Sequence, residues 1–109
     1  MSLVCEICEK EIENYSANIM IRNSEYPNAS NIFLVCKPCT SFLDSQGTQK
    51  GTERDFHNIW ELQWLKEDFS EFHEQIQKES KEGSRIWGQE AKDKMTAIGR
   101  ALGSRLPPL

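Results

Sequence analysis

The sequence predicts a small α+β protein, in which an amino-terminal part built on turns and strands precedes two helices. Three observations support this fold class. All four cysteines fall into two C-x2-C pairs, with 27 residues between the pairs. Two short apolar runs lie between the pairs, on either side of a polar stretch. Beyond residue 53, apolar residues recur at intervals of three and four, which is the period of an amphipathic helix.

The two cysteine pairs, Cys5 with Cys8 and Cys36 with Cys39, have the spacing of metal ligands. A soft ion such as Zn²⁺ prefers four thiolates in a tetrahedron, and two C-x2-C turns supply them with little distortion of the chain. A module of about 45 residues buries too little apolar surface to fold without such a staple. We therefore predict one structural zinc ion, with iron as the alternative because four thiolates suit both metals.

The chain between the pairs predicts an antiparallel β-hairpin. Residues 17–23 and 31–36 are short and rich in isoleucine and valine, and a polar loop containing Pro27 separates them. The second run leads directly into Cys36. Pro38 suits the first turn of a helix, where its missing N–H costs nothing, so we expect a short helix that ends before the polar residues 44–53.

The predicted order is a metal-binding turn, a hairpin and a second cysteine pair at the start of a helix. Treble-clef zinc fingers with four cysteine ligands have this order, and residues 4–46 resemble that superfamily. The resemblance implies a zinc-stapled module. Treble clefs include the HNH nucleases, which carry a catalytic histidine on the hairpin. His57 and His73 both lie beyond the hairpin and its helix, so we interpret them as helix-packing residues. We expect no catalytic residues, and a nuclease stays a remote alternative.

The chain after residue 53 predicts two antiparallel helices, over residues 54–80 and 85–102. Thr52 is the expected N-cap of the first helix. Gly83 is expected to end that helix in a left-handed conformation, and Ser84 is expected to cap the second helix. Trp60 and Trp64 lie opposite the main apolar stripe of the first helix. That stripe consists of Leu62, Leu65, Phe69, Phe72 and Ile76, and the stripe of the second helix consists of Trp87, Ala91, Met95, Ile98 and Leu102.

These elements suggest a division of the chain into a zinc-finger module (1–46), a linker (47–53), a helical hairpin (54–105) and a tail (106–109). The net charge of −4 is unevenly distributed, since residues 51–84 carry nine acidic and four basic side chains and residues 85–109 carry two acidic and five basic ones. We expect the basic second helix to neutralise the acidic first helix.

The predicted function is that of a non-enzymatic zinc-finger protein, a small regulatory or adaptor module that binds another protein through its helical hairpin. The predicted contact residues are Trp60, Trp64, Phe69, Phe72 and Ile76, and self-association on the stripe from Leu62 to Ile76 would form a homodimer. The alternative is a nucleic-acid-binding zinc finger that uses the basic carboxyl-terminal segment. No apolar run reaches the ~18–20 residues of a membrane span, and no signal peptide precedes the first cysteine pair, so we expect a cytoplasmic protein without membrane contact.

Overall fold

A three-stranded antiparallel sheet lies at the centre of the molecule, and the computed structural model describes residues 3–25, 28–49 and 56–109. The α+β class predicted from the sequence is confirmed. In chain order the strands and helices are β1 (Ala17–Arg22), a short 3-10 helix (Asn23–Glu25), β2 (Phe33–Cys36), α1 (Lys37–Gln49), β3 (Phe56–Glu61), α2 (Leu62–Glu67), α3 (Phe69–Glu82) and α4 (Gln89–Ala101).

The strand order is β2-β1-β3, so β1 is the central strand. The predicted hairpin is confirmed, because β1 pairs antiparallel with β2 in a register that places Ile19 opposite Leu34 and Met20 opposite Phe33. All of β1 except Arg22 is buried. A central strand covered on both faces needs apolar side chains at nearly every position, which explains why its sequence does not alternate.

The two faces of the sheet pack against different parts of the chain. The helix face, which carries Ala17, Ile19, Ile21 and Leu34, packs against α2, α3 and α4. The metal face, which carries Asn18, Met20, Phe33 and Val35, packs against α1 and the cysteines. The sheet therefore separates the cysteine cluster from the larger apolar core.

The segment 56–61 corrects the sequence prediction, because it forms strand β3 instead of the first turns of a long helix. The interval of four between Phe56 and Trp60 suggests a helix, but residues four apart also share one face of a regular strand. Pairing with the free edge of β1 gives this segment backbone partners that an isolated helix end lacks. The predicted N-cap, Thr52, lies outside the described residues.

A bulge in β3 sends its aromatic side chains to opposite faces of the sheet. Trp60 pairs with Ile19, whereas Asn58 pairs with Met20, so Ile59 is the extra residue. Trp60 packs on the helix face and Phe56 packs on the metal face. The bulge therefore lets one short strand contribute to both cores.

Two helix boundaries also differ from those predicted. α1 continues to Gln49, into the polar residues 44–53 expected to follow it, because one glycine costs a helix only about 1 kcal/mol. The long predicted helix is divided at Asp68, whose φ of −144° and ψ of 55° separate α2 from α3. Apolar spacing continues across this break, which is why periodicity alone does not detect it.

α3 and α4 pass each other in opposite directions, as predicted, although both are shorter than expected. Phe69 at the start of α3 lies against Gly99 near the end of α4. Glu79, near the end of α3, accepts a hydrogen bond from Trp87 Nε1 at 3.1 Å, just before α4 begins. Gly83 ends α3 with a φ of 70°, the left-handed cap expected there.

The predicted cap of the second helix, Ser84, is wrong, because α4 begins only at Gln89. Residues 86–88 pair instead with the loop between β1 and β2. The Gly88 N–H donates to Ala29 O at 2.8 Å, and the Ala29 N–H donates to Ile86 O at 3.1 Å. A Cβ at Gly88 would lie 2.5 Å from Ser30 O, so this close approach requires glycine.

The division of the chain into module, linker and hairpin stays a prediction. β3, which comes from the segment assigned to the hairpin, joins the same sheet as β1 and β2. Residues 50–53 of the predicted linker lie outside the described ranges, and residues 47–49 belong to α1. Within the described residues, no helix combines the length and the apolar character needed to cross a bilayer.

Candidate metal centre

The first cysteine pair lies on a tight turn that begins where Val4 bridges Glu11. The Glu9 N–H donates to Cys5 O and the Cys5 N–H donates to Lys10 O, both at 2.9 Å, which closes the turn around the pair. Glu9 adopts a φ of 63° directly after Cys8. A left-handed residue at this position turns the chain back after the cysteine pair.

The second pair lies where β2 passes into α1. Cys36 is the last residue of β2, and Cys39 lies in the first turn of α1, beside Pro38, as predicted. The buried Thr40 hydroxyl donates to Cys36 O at 3.0 Å and fixes this junction. Unpaired N–H groups and the positive end of the dipole at a helix start favour thiolate over thiol.

The structure brings all four sulfurs together, and every pair lies within 4.8 Å. Cys8 Sγ and Cys36 Sγ, which belong to different pairs, are 3.8 Å apart. A tetrahedron with metal–sulfur bonds of ~2.3 Å has sulfur–sulfur edges of about 3.8 Å, so the cluster has the dimensions of one tetrathiolate site. A disulfide would need about 2.05 Å, and all four cysteines are free.

The pKa values within the cluster differ from thiol to thiol. Burial raises the pKa of Cys5, but backbone N–H groups of Cys8, Cys36 and Ile7 outweigh burial and lower it from 9.0 to about 6. Burial, together with the neighbouring sulfurs, raises the pKa of Cys39 to about 12 and also raises the pKa of Cys36. Four adjacent thiolates need a cation among them, because each one disfavours ionisation of the next.

These donors fit one zinc ion. Four cysteine sulfurs supply all the ligands of a tetrahedral site and leave no position for water, which distinguishes structural zinc from catalytic zinc. Two further donors stabilise the most buried sulfur, since the N–H groups of Ile7 and Cys36 each lie 3.4 Å from Cys5 Sγ. The choice between zinc and iron stays open, because the same donor set suits both.

Glu6, which lies between the first two cysteines, connects the metal centre to the rest of the molecule. Its N–H donates to Leu34 O at 2.8 Å, and its carboxylate accepts from the Leu34 N–H at 2.6 Å. The same carboxylate contacts Lys94 Nζ of α4 at 2.6 Å, and that ammonium also donates to Ile32 O at 2.9 Å. No sequence pattern indicates this pair, because 88 positions separate its members.

The two histidines lie apart from the cysteine cluster. His73 is buried in α3, and its Nε2 lies 2.8 Å from Pro107 O, so it packs within the molecule against the carboxyl-terminal tail. His57 is an exposed residue of strand β3 and does not lie on a helix, which corrects its predicted position. Within the described ranges, only the four cysteines form a group of three or more potential metal ligands.

The residues predicted to contact a partner belong largely to the core of the helix face. Phe72 and Ile76 are each 1% exposed, and Trp60, Trp64 and Phe69 pack partly buried against them. The rings of Trp60 and Phe72 meet edge to face at 4.7 Å. Their contact with a partner stays a prediction, but their side chains are already used within the molecule.

The basic residues of the carboxyl-terminal segment also make internal contacts. Arg85 stacks on the Trp87 ring at 4.3 Å, and Arg100 donates to Leu106 O at 2.7 Å. Lys94 contacts Glu6. The side chains of Arg85, Lys94 and Arg100 therefore already contact other groups of this protein. The neutralisation of the acidic helix by the basic one stays a prediction.

Comparisons with protein-family models, with characterised proteins and with solved structures find no match to this chain. The treble-clef likeness therefore rests on the cysteine spacing and on the order of turn, hairpin and helix. The structure contains those elements, and it adds the strand β3 to them.

Proposed function

We propose that the protein is a non-enzymatic zinc-finger module that acts as a small regulator or adaptor by binding another protein. The observation that carries this proposal is the closed cluster of four sulfurs, all within 4.8 Å of one another. Metal-dependent hydrolysis needs an open ligand position for water, and this donor set offers none. A site with four sulfur ligands stabilises the folded chain and does not catalyse a reaction.

A folded surface that depends on a metal is useful chiefly for recognition. The apolar stripe of α3 lies in the core of the helix face, so the proposal does not rely on that stripe for docking. The amino-terminal part offers apolar side chains to solvent, since Val4 is 44% exposed and Ile7 is 43% exposed. Exposed apolar side chains of this kind supply contact area that a protein partner can bury.

Two measurements test the proposal. X-ray absorption at the metal edge is expected to show one zinc ion per chain with four sulfur ligands at ~2.3 Å. A nitrogen or oxygen ligand in place of a sulfur would reopen the site to catalysis and overturn the non-enzymatic assignment. Cross-linking in the native cell, followed by mass spectrometry, is expected to join this chain to one dominant protein at residues of the metal-bound part.

The nucleic-acid alternative has a separate test. Binding of labelled DNA and RNA is measured by anisotropy over a range of salt concentrations, because phosphate contacts weaken steeply as salt rises. We expect no binding at low salt, since Arg85, Lys94 and Arg100 are engaged within the molecule. Strong, salt-sensitive binding would favour the nucleic-acid function.

A further inference from the structure

A groove opens beside the metal centre, between the segment that follows the first cysteine pair and the start of α1. Its volume is about 590 Å³, which lies within the ~300–1,000 Å³ range of ligand sites in proteins. We call it the thiolate groove. Its walls carry Cys8, Cys36, Cys39, Lys10, Glu11 and Glu13.

The sulfurs that line this groove are the accessible ones. Cys5 is fully buried, whereas Cys8, Cys36 and Cys39 are each partly exposed. A metal-bound thiolate that faces solvent keeps lone pairs that can accept N–H hydrogen bonds. The groove therefore presents acceptors and, apart from Lys10, no cationic side chain on its walls.

The charge of the thiolate groove is negative. Four thiolates around one divalent ion carry a net charge of −2, and Glu11 and Glu13 add two carboxylates against the single ammonium of Lys10. Lys37 lies at the start of α1, but its Nζ is turned toward Asn18 Oδ1 at 2.7 Å. Such a site repels phosphate and attracts cations.

The wall formed by residues 9–15 is fixed in an uncommon backbone conformation. Glu9, Asn14 and Tyr15 all have φ values between 52° and 63°. The side chain of Tyr15 is further held by Lys66, whose Nζ lies 5.3 Å from the ring centroid. A wall whose backbone is restricted in this way loses less backbone entropy when a ligand binds.

We infer that the thiolate groove binds an extended, arginine- or lysine-bearing segment of the partner protein, with the cationic side chain directed at the carboxylates and the exposed thiolates. This inference rests on the proposed adaptor function and identifies the surface and the chemistry of its partner. Charge complementarity selects a basic peptide over an acidic or a phosphorylated one.

The first experiment uses two synthetic peptides of equal length, one with three arginines on an alanine–serine background and one with citrulline at the same positions. Binding to the zinc-loaded full-length chain is measured by titration calorimetry. We expect the arginine peptide to bind with a Kd below about 1 mM and the citrulline peptide to bind about tenfold more weakly. Equal binding, or no binding of the arginine peptide, would overturn the inference.

The second experiment compares two double variants that remove the same charge. Glu11→Gln with Glu13→Gln alters the groove, whereas Glu71→Gln with Glu74→Gln removes two exposed carboxylates from α3. We expect the groove variant to weaken the arginine peptide about tenfold and the α3 variant to leave its affinity within about twofold. A similar loss in both variants would show general attraction to an acidic protein and would reject the groove as the site.

The third experiment locates the peptide at the metal. Cobalt replaces zinc in the same site, and its sulfur-to-metal absorption bands respond to hydrogen bonds at the thiolates. We expect the arginine peptide to shift these bands, and the citrulline peptide to leave them unchanged at the same occupancy. If the absorption bands stay unchanged at a saturating concentration of the arginine peptide, the peptide does not contact the thiolates and the inference is overturned.

The inference and the proposed function fail in different ways. The Glu11 and Glu13 changes could leave the affinity for a dominant cellular partner unaffected. The adaptor function would then stand, but the groove would not be the surface that binds the partner. The absence of any cross-linked partner would remove the adaptor function itself. The chain could instead self-associate as its concentration rises, and the groove variant could abolish this self-association. That result would assign the groove to a second copy of this chain and overturn the inference of a basic partner protein.

Discussion

One face of the sheet packs against three helices, and the other packs against a cluster of cysteines and one helix. Among the described residues, 14 buried apolar side chains form the core of the helix face, whereas three form the core of the metal face. At ~1.5–3 kcal/mol for each large side chain, burial alone can maintain the first core. The second core is too small to be maintained by burial alone, so we expect it to depend on a metal held by the four cysteines.

The two faces are nevertheless joined at several points. β1 lies between both cores, β3 contributes Trp60 to one and Phe56 to the other, and Lys94 of α4 contacts Glu6 beside the cysteines. The comparison therefore predicts that each face responds most strongly to its own perturbation, while a smaller effect passes to the other.

Metal removal should produce the largest difference between the faces. Structural zinc sites contribute about 10–16 kcal/mol, which is comparable to or larger than the ~5–15 kcal/mol stability of a typical domain. After chelation, or in Cys39→Ser, we expect amide protection to be lost first over residues 3–12 and α1, as measured by hydrogen exchange with mass spectrometry. Ser41→Ala, an exposed change on the same helix, is the control. Full protection of residues 3–12 without metal would contradict the dependence on zinc.

The reciprocal experiment removes the centre of the larger core. Phe72 is 1% exposed and contacts Trp60, Trp64 and Phe69. Phe72→Ala should lower the free energy of unfolding by about 3–5 kcal/mol in urea titrations, while the folded protein keeps one zinc per chain. Ile86→Ala, at a side chain 65% exposed, should change stability by less than about 0.5 kcal/mol. Zinc loss from folded Phe72→Ala would show that the metal face depends on the helix face.

Gly88 tests the contact between the hairpin loop and the start of α4. Gly88→Ala places a Cβ against the backbone of Ser30, which has no flexible atom to move, so we expect a loss of about 2 kcal/mol. Gly83→Ala meets open space but keeps a φ of 70°, so it should cost about 1 kcal/mol. Thermal unfolding of both variants measures the difference in stability. An equal loss of stability in the two variants would mean that the loop around Ser30 shifts at little cost to accommodate the added Cβ.

The pair of Glu6 and Lys94 tests the direct connection between the faces. Their side chains are 33% and 29% exposed, so solvent screens the attraction only in part. A double-mutant cycle with Glu6→Gln and Lys94→Met should give a coupling of about 1 kcal/mol that decreases at high salt. Strict additivity of the two changes would show that the faces are coupled only through the sheet.

The smallest expected effect comes from Glu9, which has a φ of 63° directly after the first cysteine pair. Glu9→Gly should stabilise the zinc-loaded protein by about 0.5 kcal/mol, because relief of left-handed strain exceeds the added entropy of the unfolded chain. Lys10→Gly, at a neighbouring position without positive φ, should destabilise it. The two unfolding free energies are compared in chemical denaturation, and equal signs would contradict the backbone argument.

Much of the metal centre could be predicted from the sequence, because its information is local. Two C-x2-C turns specify their own geometry, and Pro38 and Cys39 mark the helix start by rules that span only a few residues. The hairpin between the pairs followed for the same reason. The wall of the thiolate groove was not predicted, since the polar residues 9–15 carry no periodic signal and acquire their meaning only beside the second cysteine pair.

The amino-acid sequence by itself determined the α+β class, the cluster of four cysteines, the hairpin and the existence of two antiparallel helices, because spacing and periodicity act over short distances. Only the tertiary structure decided that residues 56–61 form a strand and that Glu6 meets Lys94. The tertiary structure also placed the stripe from Leu62 to Ile76 in the core of the helix face. The physical reason is that an apolar spacing of four suits either a helix or a strand, and the free edge of β1 supplied the backbone partners that selected the strand.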